Sequence, residues 1–168
     1  ILGVAVCKGI VNELGPVVTS LVMTGRVTTA IAAEIGSMKG TEQIDAMTVL
    51  NLDPVRYLIV PKAIACVVMV PVLVIYSEIL AIVGSIITVF FTIDMTMHLY
   101  YTGLRFLFVE SDLMVGIAKS SLYGLIIALS GAYYGMHARG GAEGMRTATT
   151  KAVMTSTALI LILNSIIA

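Results

Sequence analysis

Long apolar runs alternate with shorter polar ones along this chain. A helix needs about 20 mostly apolar residues to cross a membrane, and four stretches meet or nearly meet that requirement. They cover residues 16–33, 63–91, 113–136 and 148–168. Residues 1–11 have the composition of the end of a further apolar element. The pattern predicts an all-α integral membrane protein, a polytopic bundle with about four visible transmembrane helices.

Small side chains recur at every fourth position in three of the predicted spans. Such spacing lets helix backbones approach closely in lipid, where packing drives association. It therefore indicates packing within a bundle or a dimer and carries no information about a substrate. The positions are Gly25, Thr29 and Ala33 in the first span, Gly116, Ser120, Gly124, Ala128 and Ala132 in the third, and Ala148, Ala152 and Ser156 in the fourth.

A polar insert at residues 33–62 separates the first two spans and carries seven of the chain's twenty formal charges. Within it we predict a short helix over residues 41–52 with modest amphipathicity. Asp53 and Pro54 are the residue types of a cap and first position of a following helix. The residues alone leave two interpretations open, a docking helix or a connection lying on lipid headgroups.

The composition excludes a soluble domain. Hydrophobic residues make up 58% of the 168 residues and charged residues 12%, whereas soluble domains are about a quarter charged. The net charge is zero, so we expect no nucleic-acid partner. Cys7 and Cys66 are isolated in apolar surroundings and read as free buried thiols. The chain begins at Ile1 and ends within an apolar run, which we interpret as a single transmembrane domain that is N-terminally incomplete.

Basic residues in the connections predict the orientation. Residues 34–62 carry three Lys or Arg residues and residues 137–151 carry three more, whereas residues 92–112 carry only Arg105 against three acidic residues. We therefore expect the first two segments to be cytoplasmic and residues 92–112 to be extracytoplasmic.

Five polar or charged residues fall inside or at the ends of the predicted spans: Arg26, Glu34, Glu78, Lys119 and Asn164. Charges at such depths are costly and indicate function by default, although Arg26 can also be structural and Lys119 can extend toward the surface. Glu78 and Lys119 are expected at similar depth. We predict that they pair, with Asn164 as a hydrogen-bond partner.

No pattern for catalysis is present. His98 and His137 stand without further ligands at metal-binding spacing, and the chain has neither a GxSxG nor a GxxxxGK[ST] motif. We expect no enzyme activity, no metal and no cofactor in this chain, so that any nucleotide chemistry belongs to a partner.

Two stretches resemble the MlaE/YrbE permease family: ELGPVVTSLVMTGRVTTAIAAEIGSMKGTEQIDAMTVLNLDPVRYLIVPK and GGAEGMRTATTKAV. The resemblance follows the chain almost throughout, and the TEQIDA…DP…YL…P block is specific. The family's upstream interfacial helix and first spanning helix are missing, which implies five spans in the full-length protein.

The resemblance implies a membrane subunit of an ABC transporter that works with MCE-domain proteins. Such transporters move phospholipids between the bacterial inner membrane and the cell envelope and maintain outer-membrane lipid asymmetry. It implies a homodimer, a cytoplasmic ATPase that binds ATP and Mg²⁺, and an extracytoplasmic MCE-domain partner. The segment at 41–52 becomes the coupling helix. The implied ATPase-coupling residues are Thr41, Glu42, Gln43, Ile44, Asp45, Ala46, Met47, Leu50, Asp53 and Pro54.

The resemblance also extends to residues within the spans. Arg26 corresponds to the arginine of the family's AGR, and Glu34 to the glutamate of AAE[IL]G. The family commonly has a lysine at the position of Lys119 and an acid at the position of Asn164, from which this chain departs. By this interpretation Glu34 would transmit motion from the coupling helix to the bundle.

Two other functions remain open on the residues alone. An ion- or proton-coupled secondary transporter could use Arg26, Glu34, Glu78 and Lys119 as a relay and would need no ATPase. A scaffold that anchors a complex would have neither a lipid-sized cavity nor ATP dependence.

Overall fold

The computed structural model describes residues 14–92 and 110–167, which are helical or lie in short connections. Within these ranges, four helices are long and apolar enough to span a membrane. This confirms the predicted class, a polytopic helical membrane protein. The predicted element at residues 1–11 and most of the predicted segment at 92–112 lie outside the described residues.

The described elements follow in chain order as five helices. A π-helical turn, Thr24–Thr28, interrupts α1, and another, Val55–Ile59, opens α3 and leads into its long part. The helices are α1 at Gly15–Gly40, α2 at Gln43–Val49, α3 at Val55–Ile59 and Val60–Thr92, α4 at Glu110–Met136, and α5 at Gly141–Ile167.

The spanning helices extend further into the polar segments than predicted. The first continues to Gly40 instead of ending at residue 33, because Ile35 and Gly36 remain buried while Glu34 faces outward. Polar residues on the exposed side of a helix do not end it. The predicted short helix is present, but it covers only Gln43–Val49, because the chain turns at Thr41.

The central helix of the bundle is α4, which packs against α1, α3 and α5. Its glycines allow very close approach. A Cβ at Gly124 would lie 2.5 Å from the carbonyl oxygen of Cys66 in α3. At Gly131 and Gly135 it would lie 3.0 Å from the carbonyl oxygens of Thr28 and Ala32 in α1. The predicted stripe of α4 is buried at Ser120, Gly124, Ala128 and Ala132, whereas Gly116 is only half-buried. Gly131 and Gly135 were not part of the prediction.

The small-residue prediction also holds for α5, where Ala148, Ala152 and Ser156 are buried. It is wrong for α1. Gly25 is exposed there, and the fully buried stripe is one position earlier, at Ser20, Thr24, Thr28 and Ala32. Two stripes with the same spacing run side by side along α1, and only the positions of α4 and α5 decide which one is buried.

Hydrogen bonds between side chains also link the spanning helices. Thr19 in α1 and Ser77 in α3 share one of 2.8 Å, and Tyr134 in α4 shares one of 2.9 Å with Thr155 in α5. In lipid such bonds stabilise helix association by about 1 kcal/mol each. One of these bonds joins α1 to α3, and the other joins α4 to α5.

The segments around 34–62 and 137–151 meet at one end of the bundle. A Cβ at Gly36 would lie 3.4 Å from Cβ of Ala138 and 3.6 Å from Cγ of Met145. We call this the coupling end; it contains the C-terminus of α1, all of α2, and the start of α3. Six Lys and Arg residues belong to these segments: Lys39, Arg56, Lys62, Arg139, Arg146 and Lys151.

The contact at Gly124 makes a first prediction. We expect Gly124→Ala to lower the free energy of unfolding by about 1–3 kcal/mol, since the added methyl group overpacks backbone atoms that cannot move away. Gly116→Ala in the same helix is the control, because a Cβ there meets nothing within 4 Å. Thermal unfolding of the purified protein in detergent compares them. Equal midpoints for the two variants would show that α3 and α4 are not in close contact.

Candidate functional site

The short helix α2 lies between two residues in the left-handed backbone conformation. Glu42 has φ 60° just before it, and Asn51 has φ 58° just after it. The amide of Thr41 donates to the carbonyl of Ser37 (3.0 Å) to close α1, and the amide of Leu52 donates to Met47 (2.9 Å) to close α2. Such conformations are uncommon for residues other than glycine and asparagine. Two sharp turns therefore set α2 off from the spanning helices.

One side chain anchors α2 in the bundle. Ile44 is only 3% exposed and packs in a core cluster that includes Ile35 of α1, Cys66 of α3 and Ala128 of α4. Ile44 was predicted to be among the residues that contact a partner. This burial attaches α2 to the core cluster of the bundle, and the role of Ile44 in coupling stays a prediction.

Two ion pairs join the elements of the coupling end. Lys39 Nζ at the end of α1 donates a hydrogen bond of 2.7 Å to Asp45 Oδ1 in α2. Lys62 of α3 pairs with Glu34 of α1. Exposed pairs contribute little to stability, about 0–1 kcal/mol each. Their consequence here is geometric, since they fix α1 to α2 and α1 to α3 at the coupling end.

Large apolar side chains are exposed at the end of α2 and at the start of α3. Val49 is 86% exposed and Leu50 is 70% exposed, and Tyr57 at the start of α3 is also well exposed. We take these exposed apolar side chains as a candidate interaction surface. Beside them lies a half-open pocket of about 250 Å³ with an apolar lining: Met38, Gln43, Ile44, Ala46, Met47 and Leu50.

The entry into α3 is capped as the sequence predicted. The backbone amide of Val55 donates a hydrogen bond of 3.0 Å to Oδ1 of Asp53, and Pro54 begins the helix with φ −60°. Asp53 is exposed and Pro54 is half-buried. Together they belong to the connection through which the chain leaves α2 and enters α3. Thr41 and Glu42 form the turn between the end of α1 and the start of α2.

The polar residues predicted within the spans lie on four different helices. Arg26 lies in the π turn of α1 with an exposed side chain, Glu78 is half-buried in α3, and Lys119 of α4 is 5% exposed. The pairing of Glu78 with Lys119 stays a prediction. Oδ1 of Asn164 accepts a hydrogen bond of 3.0 Å from the hydroxyl of Tyr123.

Three residues of the site were missed by sequence reasoning. Val49 followed a helical pattern that could have placed it on the outer face with Leu50. Lys39 and Lys62 were counted as charges without partners, because the separation of 28 residues between Glu34 and Lys62 carries no signal until the two helices are packed. Tertiary structure alone identifies that pair.

Four spanning helices, with a short helix between the first two, define a polytopic helical membrane protein. Known proteins agree with this class. The family described as permease MlaE matches residues 1–168. The chain belongs to the MlaE permease family.

Relatives in several organisms carry related names. A probable ABC transporter permease protein of Rickettsia prowazekii is 37% identical over 167 residues, covering 99% of this chain and 64% of the relative. One from Synechocystis is 36% identical over 163 residues, 97% of this chain and 62% of the relative. One from Porphyra purpurea is 34% identical over 154 residues, which cover 92% of this chain and 59% of the relative. The chain thus spans less than two thirds of the length of these relatives.

The anchoring of α2 makes a second prediction. We expect Ile44→Ala to lower the free energy of unfolding by about 2–5 kcal/mol, because it leaves a cavity among α1, α3 and α4. Val49→Ala removes an apolar side chain of similar size from the exposed side of α2 and should change stability by less than about 0.5 kcal/mol. Thermal unfolding in detergent measures both. A loss at Val49 as large as that at Ile44 would contradict this arrangement of α2.

Proposed function

We propose that this chain is the membrane subunit of an ATP-driven transporter that moves phospholipids between the bacterial inner membrane and the cell envelope. Its role there would be to maintain the lipid asymmetry of the outer membrane. The observation that carries the proposal is the arrangement of α2, which presents Val49 and Leu50 outward while Ile44 anchors it among three spanning helices. A partner that moves α2 therefore moves the bundle.

The partner we propose for α2 is a cytoplasmic ABC ATPase that binds ATP and Mg²⁺. The relatives are named as ABC transporter permease proteins, and this chain has no phosphate-loop motif of its own. The basic residues of the coupling end support a cytoplasmic location for it. A homodimer of the full-length protein and an extracytoplasmic MCE-domain protein complete the proposed assembly.

In the proposed mechanism, ATP-dependent closure of the ATPase displaces α2. The Lys39–Asp45 pair and Ile44 pass the displacement to α1, and the Glu34–Lys62 pair passes it to α3. Because Gly124 is in close contact with α3, and Gly131 and Gly135 with α1, α4 would move together with both helices. The apolar surface along the membrane part of the helices would then rearrange around the acyl chains of the lipid.

Replacing Val49 tests the docking surface. We expect Val49→Asp in the full-length protein to abolish copurification of the ATPase in mild detergent, since the interface would have to bury a carboxylate without a partner. Val49→Leu keeps the surface apolar and should retain the ATPase. Phospholipid that copurifies with the wild-type complex would support the cargo class. Equal recovery of the ATPase with Val49→Asp would contradict docking on α2.

Exchanging the charges of Glu34 and Lys62 tests the transmission of motion. We expect Glu34→Lys or Lys62→Glu alone to leave ATPase binding intact but to reduce ATP-driven lipid transfer severalfold, because like charges separate α1 from α3. The double exchange restores an attractive pair and should restore most of the transfer. If the double variant is no better than the single ones, the ion pair does not transmit the motion.

A further inference from the structure

Arg26 lies near the middle of a membrane-spanning helix. It is 11 residues from the first residue of α1 and 14 from the last, in Gly15–Gly40, which places it about 16 Å and 21 Å from the two ends at 1.5 Å per residue. Its side chain is exposed on the surface of the chain. A charge at such depth is costly without a compensating group.

The described residues offer Arg26 no such group. No hydrogen bond or ion pair of the described part of the chain involves its guanidinium. The nearest acid along the exposed side of α1 is Glu34, which lies about 12 Å further along the axis and is engaged by Lys62. The compensating charge for Arg26 therefore comes from outside these helices.

The π turn keeps Arg26 on a defined side of α1. Val18, Val22, Arg26, Ala30 and Glu34 are spaced by four residues, and all are exposed. In a regular helix this spacing drifts by about 40° per step. The π turn takes up an extra residue and reduces the drift where Arg26 lies. The result is one continuous face with apolar side chains above Arg26 and a charge at its centre.

The space beside the guanidinium is open. A Cβ at Gly25 would meet nothing within 4 Å, and Ala30 presents only a methyl group one turn away. Thr24 and Thr28, on the opposite side, are fully buried in the bundle. A group with the size of a lipid headgroup can therefore approach Arg26 from the exposed side of the described helices.

We propose that Arg26 binds the phosphate of the lipid as it passes along the exposed face of α1. The inference rests on the proposed function and adds to it the residue that recognises the phosphate headgroup. Arginine matches the geometry of phosphate with two parallel hydrogen bonds, and the apolar residues Val18 and Val22 beside it suit acyl chains. A phosphate is the charge that this face lacks and that a phospholipid supplies.

The test compares two lipids that differ in the phosphate. The purified full-length protein in detergent is titrated with an acyl-labelled phosphatidylglycerol and with a diacylglycerol that carries the same label. We expect Arg26→Gln to weaken phosphatidylglycerol binding about tenfold or more, the scale of lost hydrogen bonds to a charged group, and to leave diacylglycerol binding unchanged. Arg26→Lys should keep part of the preference for phosphatidylglycerol over diacylglycerol. Arg146→Gln removes an exposed charge at the coupling end and should change neither affinity.

A second variant leaves the charge in place. Gly25→Leu fills the open space beside Arg26 and should weaken phosphatidylglycerol binding without lowering stability, so that the test holds even if Arg26→Gln does not fold. Unchanged binding of both lipids to Arg26→Gln and Gly25→Leu would overturn the inference. So would dissociation of a dimer by Arg26→Gln with phosphatidylglycerol binding retained, because Arg26 would then face a second copy of the chain.

ATP-driven transfer from proteoliposomes separates this inference from the proposed function. Binding that depends on the phosphate and on Arg26, without ATP-driven transfer by the wild type, would support the binding residue and contradict the transporter. Transfer that is equally fast for both lipids and for Arg26→Gln would support the transporter and overturn the role of Arg26.

Discussion

Close backbone contact between α4 and its neighbours is the constraint on which the rest of this structure depends. Lipid provides no hydrophobic drive for helices to associate, so packing and a few hydrogen bonds must hold them. Gly124 meets the backbone of α3, and Gly131 and Gly135 meet α1. These contacts leave little freedom for the helices to slide, and they fix where the ends of α1 and α3 stand relative to one another.

That fixed arrangement gives the coupling end its properties. With α1 and α3 held on α4, Glu34 comes within reach of Lys62, and the short connection between them leaves α2 folded back onto Ile35 and Cys66 through Ile44. The left-handed residues Glu42 and Asn51 allow the chain to turn sharply on either side. The helix α2 is thus exposed on one side and anchored in the core cluster on the other.

The charges of the chain fall into two environments with different chemistry. At the coupling end, Lys39 and Lys62 find acidic partners in the presence of water. Within the spans, Asn164 is bonded to Tyr123 inside the bundle, and Arg26 faces outward from a π turn. The first group connects helix ends at one end of the bundle, and the second lies within the spanning helices.

The sequence by itself determined the helical membrane class, the four spans, the short helix near residue 45 and the cap at Asp53. These depend on local properties: apolar length, helical spacing and residue types at helix ends. Only the tertiary structure decided that Thr24 and Thr28 are buried rather than Gly25 and Thr29, that Ile44 is an anchor, and that Glu34 pairs with Lys62. Each of these outcomes depends on which neighbouring helix covers a given face, and neighbours distant in sequence leave no trace in a local pattern.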